Sequence, residues 1–207
     1  MSKGQTDPKT KKKLVIGISA GAVLLLLMFL LIFLNCDKVP GGIPTLTIET
    51  PQKISKNDTQ EFSLDVMISS FGEAIYPAAS MSISFDPSRL EFLGIEEGNV
   101  FIRNNGDVTQ KLPDWNCNSE QSNKSGKINI MYLDTTGGKN AFSKELLSTE
   151  DNVVLRLKFG LRGSVRNGDI CDLIFDDAIF AASEETESLA MSTATLKVRN
   201  GKIVVGE

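Results

Sequence analysis

No histidine occurs anywhere in this chain. Its absence removes the commonest general base and the commonest zinc ligand together. Serine and cysteine nucleophiles normally need such a base beside them, so nucleophilic catalysis has little support here. Aromatic residues with a polar handle are equally scarce: one tryptophan, Trp115, and two tyrosines, Tyr76 and Tyr132. So few are poorly suited to a flat glycan-binding strip. The three cysteines, Cys36, Cys117 and Cys171, lack any metal-ligand spacing. Basic runs are missing after Lys13, and no long helical pattern appears. The adjacent acids Glu96-Glu97, Asp176-Asp177 and Glu184-Glu185 would point to opposite faces of a strand, so adjacency makes no acid/base pair. No enzyme and no cofactor are expected.

What the chain does have begins with 21 residues free of charge, Leu14 to Leu34, directly behind Lys11-Lys12-Lys13. As a helix this run is about 31 Å long at ~1.5 Å per residue, enough to cross a bilayer core. The lysines predict that residues 1–13 form a cytoplasmic tail, residues 14–34 a signal-anchor helix, and everything after it an extracellular part. A cleaved signal peptide is the rival, but its apolar core is shorter and ends in small residues. Here the run ends Phe33-Leu34-Asn35-Cys36. Lipidation at Cys36 is the other alternative, although Asn35 stands where a lipobox wants a small residue. Each keeps the remainder at the outer membrane surface.

Residues 35–44 form a spacer containing Pro40-Gly41-Gly42-Ile43-Pro44, and residues 45–207 are the size of one domain. Residues 35–207 carry 17 basic against 25 acidic side chains, net −8. Such a balance makes a poor nucleic-acid binder. Outside the cell, Cys117 and Cys171 are able to form a disulfide, the alternative being two separate buried thiols. The triplets Asn57-Asp58-Thr59 and Asn123-Lys124-Ser125 match a glycosylation acceptor, a weak signal.

Alternation of period two dominates from Thr45 onward. Phe62, Leu64, Val66 and Ile68 alternate with Glu61, Ser63, Asp65 and Met67. Ala79, Met81, Ile83 and Phe85 alternate with Ser80, Ser82 and Ser84, and Val153 to Leu161 repeats the pattern. Further strands are predicted at Leu46–Thr50, Arg89–Ile95, Val100–Arg103, Lys127–Leu133, Asp169–Phe175, Ala194–Val198 and Lys202–Val205. Turn pairs such as Asp86-Pro87, Gly137-Gly138, Asn167-Gly168 and Asn200-Gly201 separate them. Many short strands at this spacing give an all-β antiparallel sandwich. Only Lys139–Leu147 offers a helical turn or two.

The order of these pieces resembles the cohesin domain family. The similarity runs from about Thr45 to Val205 and is sharpest at Met81-Ser82-Ile83-Ser84-Phe85-Asp86-Pro87-Ser88-Arg89-Leu90-Glu91, with Gly98 after it. It continues through Gly126-Lys127-Ile128, Asn152 to Phe159, Gly168 with Leu173 and Phe175, and Gly201-Lys202-Ile203-Val204-Val205. The resemblance implies a nine-stranded jelly roll that binds dockerin-bearing proteins through its third, fifth, sixth and eighth strands, the calcium being carried by the partner. On that face Ser80, Ser82 and Ser84 are expected to point outward from the third strand. On the strand from Lys127, both rows are apolar. One assignment turns Ile128, Ile130 and Tyr132 outward as the centre of a binding face, with Thr135, Thr136 and Gly137 as a polar rim; the opposite assignment makes them core, with Met131 and Leu133 outside. The best-known class of the family carries an Asn and an Asp where this chain has Ala78 and Ser80, so those polar contacts would be missing. The acids Asp172, Asp176 and Asp177 are expected at a solvated strand end rather than at a calcium site. Competing functions on the same architecture are a carbohydrate-binding module, with polysaccharide as its partner, and a surface adhesin pairing through edge strands.

Overall fold

The computed structural model describes residues 42–50, 53–56, 61–102, 106, 108, 110–148, 151–183 and 189–206. The apolar run 14–34, the lysines before it, Cys36 and the Asn57 triplet lie outside the described residues. No helix among the described residues is long and apolar enough to cross a membrane.

Alternating sequence becomes strand wherever one row can be buried. Among the described residues eleven strands result: β1 Thr45–Ile48, β2 Ile54–Ser55, β3 Phe62–Ile68, β4 Ala78–Ser84, β5 Leu90–Glu97, β6 Asn116–Cys117, β7 Lys127–Leu133, β8 Val153–Leu161, β9 Ile170–Ala181, β10 Lys197–Arg199 and β11 Gly201–Gly206. They form a five-stranded sheet in the order β10-β1-β3-β8-β5 and a six-stranded sheet in the order β2-β11-β9-β4-β7-β6. The expectation of nine strands, all antiparallel, is corrected in two respects. The short β2 and β10 are additional, and each pairs in parallel, β2 with β11 and β10 with β1.

The rows facing inward make one continuous core. Leu64, Val66, Leu155, Leu157 and Phe159 come from the first sheet; Met81, Ile83, Ile128, Ile130, Leu173 and Ile203 come from the second. Seven aromatic rings gather at one end, with Phe142 touching Phe71, Phe101, Trp115, Tyr132 and Phe180 at centroid separations of 5.2–5.7 Å. Tyr76 joins this group through Phe71 and Phe180.

Two of the sequence fragments that looked diagnostic have local physical causes. After β4 the Asp86 carboxylate accepts hydrogen bonds from the Ser88 amide at 2.9 Å and the Ser88 hydroxyl at 2.6 Å, closing the Asp-Pro turn. These bonds, Ser88 foremost, hold the Asp86 carboxyl below its ordinary range. Gly98 passes so near β8 that a Cβ there would lie 1.9 Å from the Val153 carbonyl oxygen.

The helix α1, Ser119–Ser125, has no counterpart in the hydrophobic pattern, because SEQSNKS carries no apolar residue. Its signals are in the caps. Asn118 is the N-cap and accepts from the Gln121 amide at 2.9 Å, Glu120 and Lys124 complement the dipole, and Gly126 closes the C-terminus at φ 70°. Within α1, Asn123 exchanges two 2.8 Å hydrogen bonds with the backbone of Phe92. That side chain is structural, tying α1 to the backbone of β5. The helical turn expected in 139–147 shrinks to a 3-10 turn, Lys144–Leu146.

The candidate disulfide is not formed. Cys117 and Cys171 are both free thiols. Cys117 lies on β6 and Cys171 on β9, with β4 and β7 between them. Three inter-strand steps are roughly 14 Å, about twice the Cα separation a disulfide tolerates. Burial pushes both thiols above the ordinary cysteine range.

Candidate functional site

Leaving out β2 and β10, the third, fifth, sixth and eighth strands are β4, β6, β7 and β9, and these four are adjacent in the six-stranded sheet. Register fixes their outward rows. Ala78, Ser80, Ser82 and Ser84 on β4 stand opposite Leu133, Met131, Asn129 and Lys127 on β7. On the other side they stand opposite Ala181, Ile179, Asp177 and Ile174 on β9.

The three serines point outward, as expected. The outward assignment of Ile128, Ile130 and Tyr132 is overturned. These side chains are buried, Ile130 at 2% exposure and Tyr132 at 5%, while Met131 and Leu133 are 57% and 63% exposed. The cause is the partner row. Ile128, Ile130 and Tyr132 register against Ile83, Met81 and Ala79, the buried row of β4, and two residues facing each other across a ladder share a face.

Tyr132 therefore supports the site from beneath. Its hydroxyl donates to the Asn140 carbonyl at 2.8 Å, and its ring lies 5.6 Å from that of Trp115. Burial, and secondarily the negative charge of Asp134, push its hydroxyl up to about 12. The loop after β7 is tied by Asp134, whose carboxylate accepts from the Thr136 amide and hydroxyl and from the Gly138 amide at 2.6–2.8 Å. Burial acts to raise that carboxyl, but these hydrogen bonds outweigh it and hold it below the usual carboxylate range. The Thr136 hydroxyl is thus spent within the loop. Thr135 and Thr136 line the hollow beside Leu133.

The outward face divides into two zones. Near the β4 start, Ala78, Ser80, Met131, Leu133, Ile179 and Ala181 surround an apolar hollow of about 210 Å³. Toward the β4 end the surface is polar and tightly bonded: Ser82 to Asn129 at 2.7 Å, Ser84 to Asp176 at 2.6 Å, and Lys127 to Asp176 at 3.0 Å. The Ser84 and Lys127 contacts hold the Asp176 carboxyl below its ordinary range. Asp176 and Asp177 are not at a strand end as expected. They sit mid-strand, where the pairing of β9 with β4 slips by one residue. No group of three or more potential metal ligands occurs among the described residues.

The opposite sheet presents a different outer surface. Arg156 pairs with Asp65 at 2.9 Å, Lys158 with Glu96 at 3.2 Å, and Arg162 with Glu91 at 3.9 Å. That is a solvated lattice of charge. Interface centres are depleted of charge and enriched in residues such as Met, so the two outer surfaces are unequal candidates. Among the described residues, the β9-β4-β7-β6 face has the less charged outer surface of the two sheets.

A family model, the Cohesin domain, matches residues 45–200. The chain belongs to the cohesin family. Among solved structures, the third ScaC cohesin of Acetivibrio cellulolyticus, in complex with the ScaB dockerin, is similar at 17% identity and TM-score 0.58, over 79% of this chain and 99% of that one. The OlpA cohesin of Clostridium thermocellum, in complex with Doc918, gives 15% identity and TM-score 0.55 over 79% and 99%. CaCohA2 of Clostridium acetobutylicum, a solution structure, gives 20% identity and TM-score 0.53 over 80% and 92%. At these identities the likeness establishes the fold. Comparison with curated proteins finds no match. In this chain Ile43–Glu207 forms one compact unit.

Proposed function

We propose that this chain is a single cohesin module that captures a dockerin-bearing protein at a cell surface. Residues 14–34 hold it in the membrane as a single-pass anchor, with residues 1–13 cytoplasmic and the sandwich outside. The observation that carries the binding part is the outward face of β9, β4, β7 and β6. It brings the exposed Met131 and Leu133, the apolar hollow beside them and the row Ser80, Ser82, Ser84 onto one surface. Similar cohesins occur in complexes with dockerins. One module on one anchor makes a one-to-one tether. Calcium belongs to the partner in this reading.

The aromatic residues do not favour the polysaccharide reading: Tyr76 and Tyr132 are buried, and Trp115 packs against Tyr132 and Phe142.

The test is a pull-down from secreted and surface proteins of the source organism, with and without calcium chelator, using residues 43–207 and the variant Leu133→Asp. Capture of a dockerin-bearing protein by the parent, lost on chelation and lost in the variant, is expected. Recovery only of calcium-indifferent proteins or glycans would sink the dockerin reading. Separately, fusing residues 1–42 to a soluble reporter should place it in the membrane fraction, facing outward.

A further inference from the structure

The edge of β9 that faces away from β4 has an interrupted neighbour. At one end β11 pairs with it, from Val204 opposite Ile170 to Gly201 opposite Leu173. At the other end Phe180 and Met191 exchange backbone hydrogen bonds of 2.8 and 2.9 Å. Between those points the chain leaves this sheet: Ser192 and Thr195 close a turn, and β10 goes to β1 instead. Asn200 mends part of the gap, its side-chain oxygen accepting from the Phe175 amide at 3.0 Å. Residues 176–179 are left without a neighbouring strand on that edge among the described residues.

Within this notch the backbone of Ala178 is the point of attachment. A residue of an antiparallel strand sends its N–H and C=O to the same side, and successive residues alternate sides. Phe180 sends both groups to Met191, so Ala178, two residues before it, sends both into the notch. A cavity of about 370 Å³ lies there, with Phe175, Leu196 and Val198 among its walls. Phe175 and Leu196 are buried, whereas Val198 is 42% exposed although its register partner Leu46 is fully buried. Val198 is thus an inward-facing side chain left uncovered. On the lip, Asp177 has no cation within ion-pair distance among the described residues. Lys197 and Arg199 also bound the cavity, but they register with Thr45 and Thr47 and so belong to the other outer surface.

These features specify an occupant. An open amide and carbonyl on a strand edge are matched by another extended chain, and not by a helix, whose own groups are already bonded. Residues 176–179 span about 13 Å at ~3.3 Å per residue, room for three or four residues of added strand. The residue opposite Ala178 shares its face, so its side chain enters the cavity, while its neighbours point outward beside Asp177.

We infer that the notch in β9 receives an extended peptide segment. One of its residues pairs with Ala178 and lays an aliphatic side chain against Leu196 and Val198, and an adjacent lysine or arginine meets Asp177. The site uses the far edge of β9 and the seam between the sheets, and not the outward face on which dockerin capture is proposed.

Three labelled heptapeptides, capped at both ends, test this by fluorescence anisotropy against the full chain in detergent. One has a central valine followed by lysine, among serines and threonines; a second has the same valine N-methylated; a third has serine in its place. The first is expected to bind and the others at least about tenfold more weakly, because the methyl group removes the amide that pairs with the Ala178 carbonyl and serine leaves the cavity unfilled. Hydrogen exchange at the Ala178 amide should slow when the first peptide is bound. Val198→Asp should weaken the first peptide about tenfold. If that variant melts lower than the parent, Val198→Thr keeps the branched shape and should weaken it about threefold. Asp177→Asn should cost about two- to threefold at low salt and nothing at high salt. Equal binding of the N-methylated peptide, no binding of the first at about 1 mM, or unchanged exchange at Ala178 with peptide bound overturns the inference.

Discussion

Replacing Ile130 by alanine and, separately, Leu133 by alanine reads out which side of β7 is core. The two residues lie three apart on one strand and therefore on opposite faces. Ile130 is 2% exposed in the row that meets Met81, whereas Leu133 is 63% exposed above Ala78. Truncating a buried isoleucine loses its transfer energy and leaves a cavity, about 3 kcal/mol together. In a domain of this size each kcal/mol moves the melting midpoint by about 2–4 °C, so Ile130→Ala should melt roughly 6–12 °C lower. Leu133→Ala leaves nothing to collapse and should stay within about 0.5 kcal/mol of the parent. Thermal unfolding of residues 43–207 followed by circular dichroism, with urea titration as a second measure, decides it. If Leu133→Ala costs as much as Ile130→Ala, β7 is turned over and the recognition surface assigned to Met131 and Leu133 is wrong.

Three further outcomes are expected. Alkaline titration of phenolate absorbance should show neither tyrosine ionising near its ordinary value. Burial raises both groups, and Tyr132→Phe should remove the phase near 12. Because the folded value of Tyr132 lies above the unfolded value of about 10, its contribution to stability is full below pH ~10 and is lost as pH rises to about 12. Unfolding at fixed pH across that window should show a decline that is shallower in the phenylalanine variant. Asn123→Ala should cost about 2 kcal/mol in urea unfolding, since it strands both the amide and the carbonyl of Phe92; a cost below about 0.5 kcal/mol would contradict those bonds. Alkylation of residues 43–207 in denaturant without reductant should modify two thiols per chain, and protection of both would mean that Cys117 and Cys171 do pair.

Much of the sandwich is legible in the sequence because one row of each strand is apolar and the other is not. Strands β3 and β4 are of this kind, and β7 was bounded correctly at Lys127 and Leu133. The facing of β7 was not legible. In Lys-Ile-Asn-Ile-Met-Tyr-Leu both rows hold large apolar residues, and period two identifies a strand without saying which row meets the partner sheet. Only the register with β4 decides that. The predicted end of β9 at Phe175 came from the broken alternation at Asp176-Asp177. The strand absorbs the break as a bulge and runs on to Ala181. Val100–Arg103 also broke the expectation, because Val100 and Phe101 are buried in a turn rather than along a ladder. The outward position of the serines was legible and the apolar hollow beside them was not, since it depends on Ile179 and Ala181 lying past the bulge.

That bulge has a consequence for how such a surface is inherited. Before it, even-numbered residues of β9 face out (Ile170, Asp172, Ile174); after it, odd-numbered residues do (Asp177, Ile179, Ala181). The hollow is therefore encoded in the pairing of β9 as much as in side-chain chemistry. Were Asp176 taken up in regular alternation instead of bulged, Ile179 would turn inward and Phe180 outward, erasing the apolar wall and opening the aromatic cluster beneath it, with every residue of β9 unchanged. A relative could keep almost all of this sequence and, pairing β9 with β4 in the other register, present a different surface.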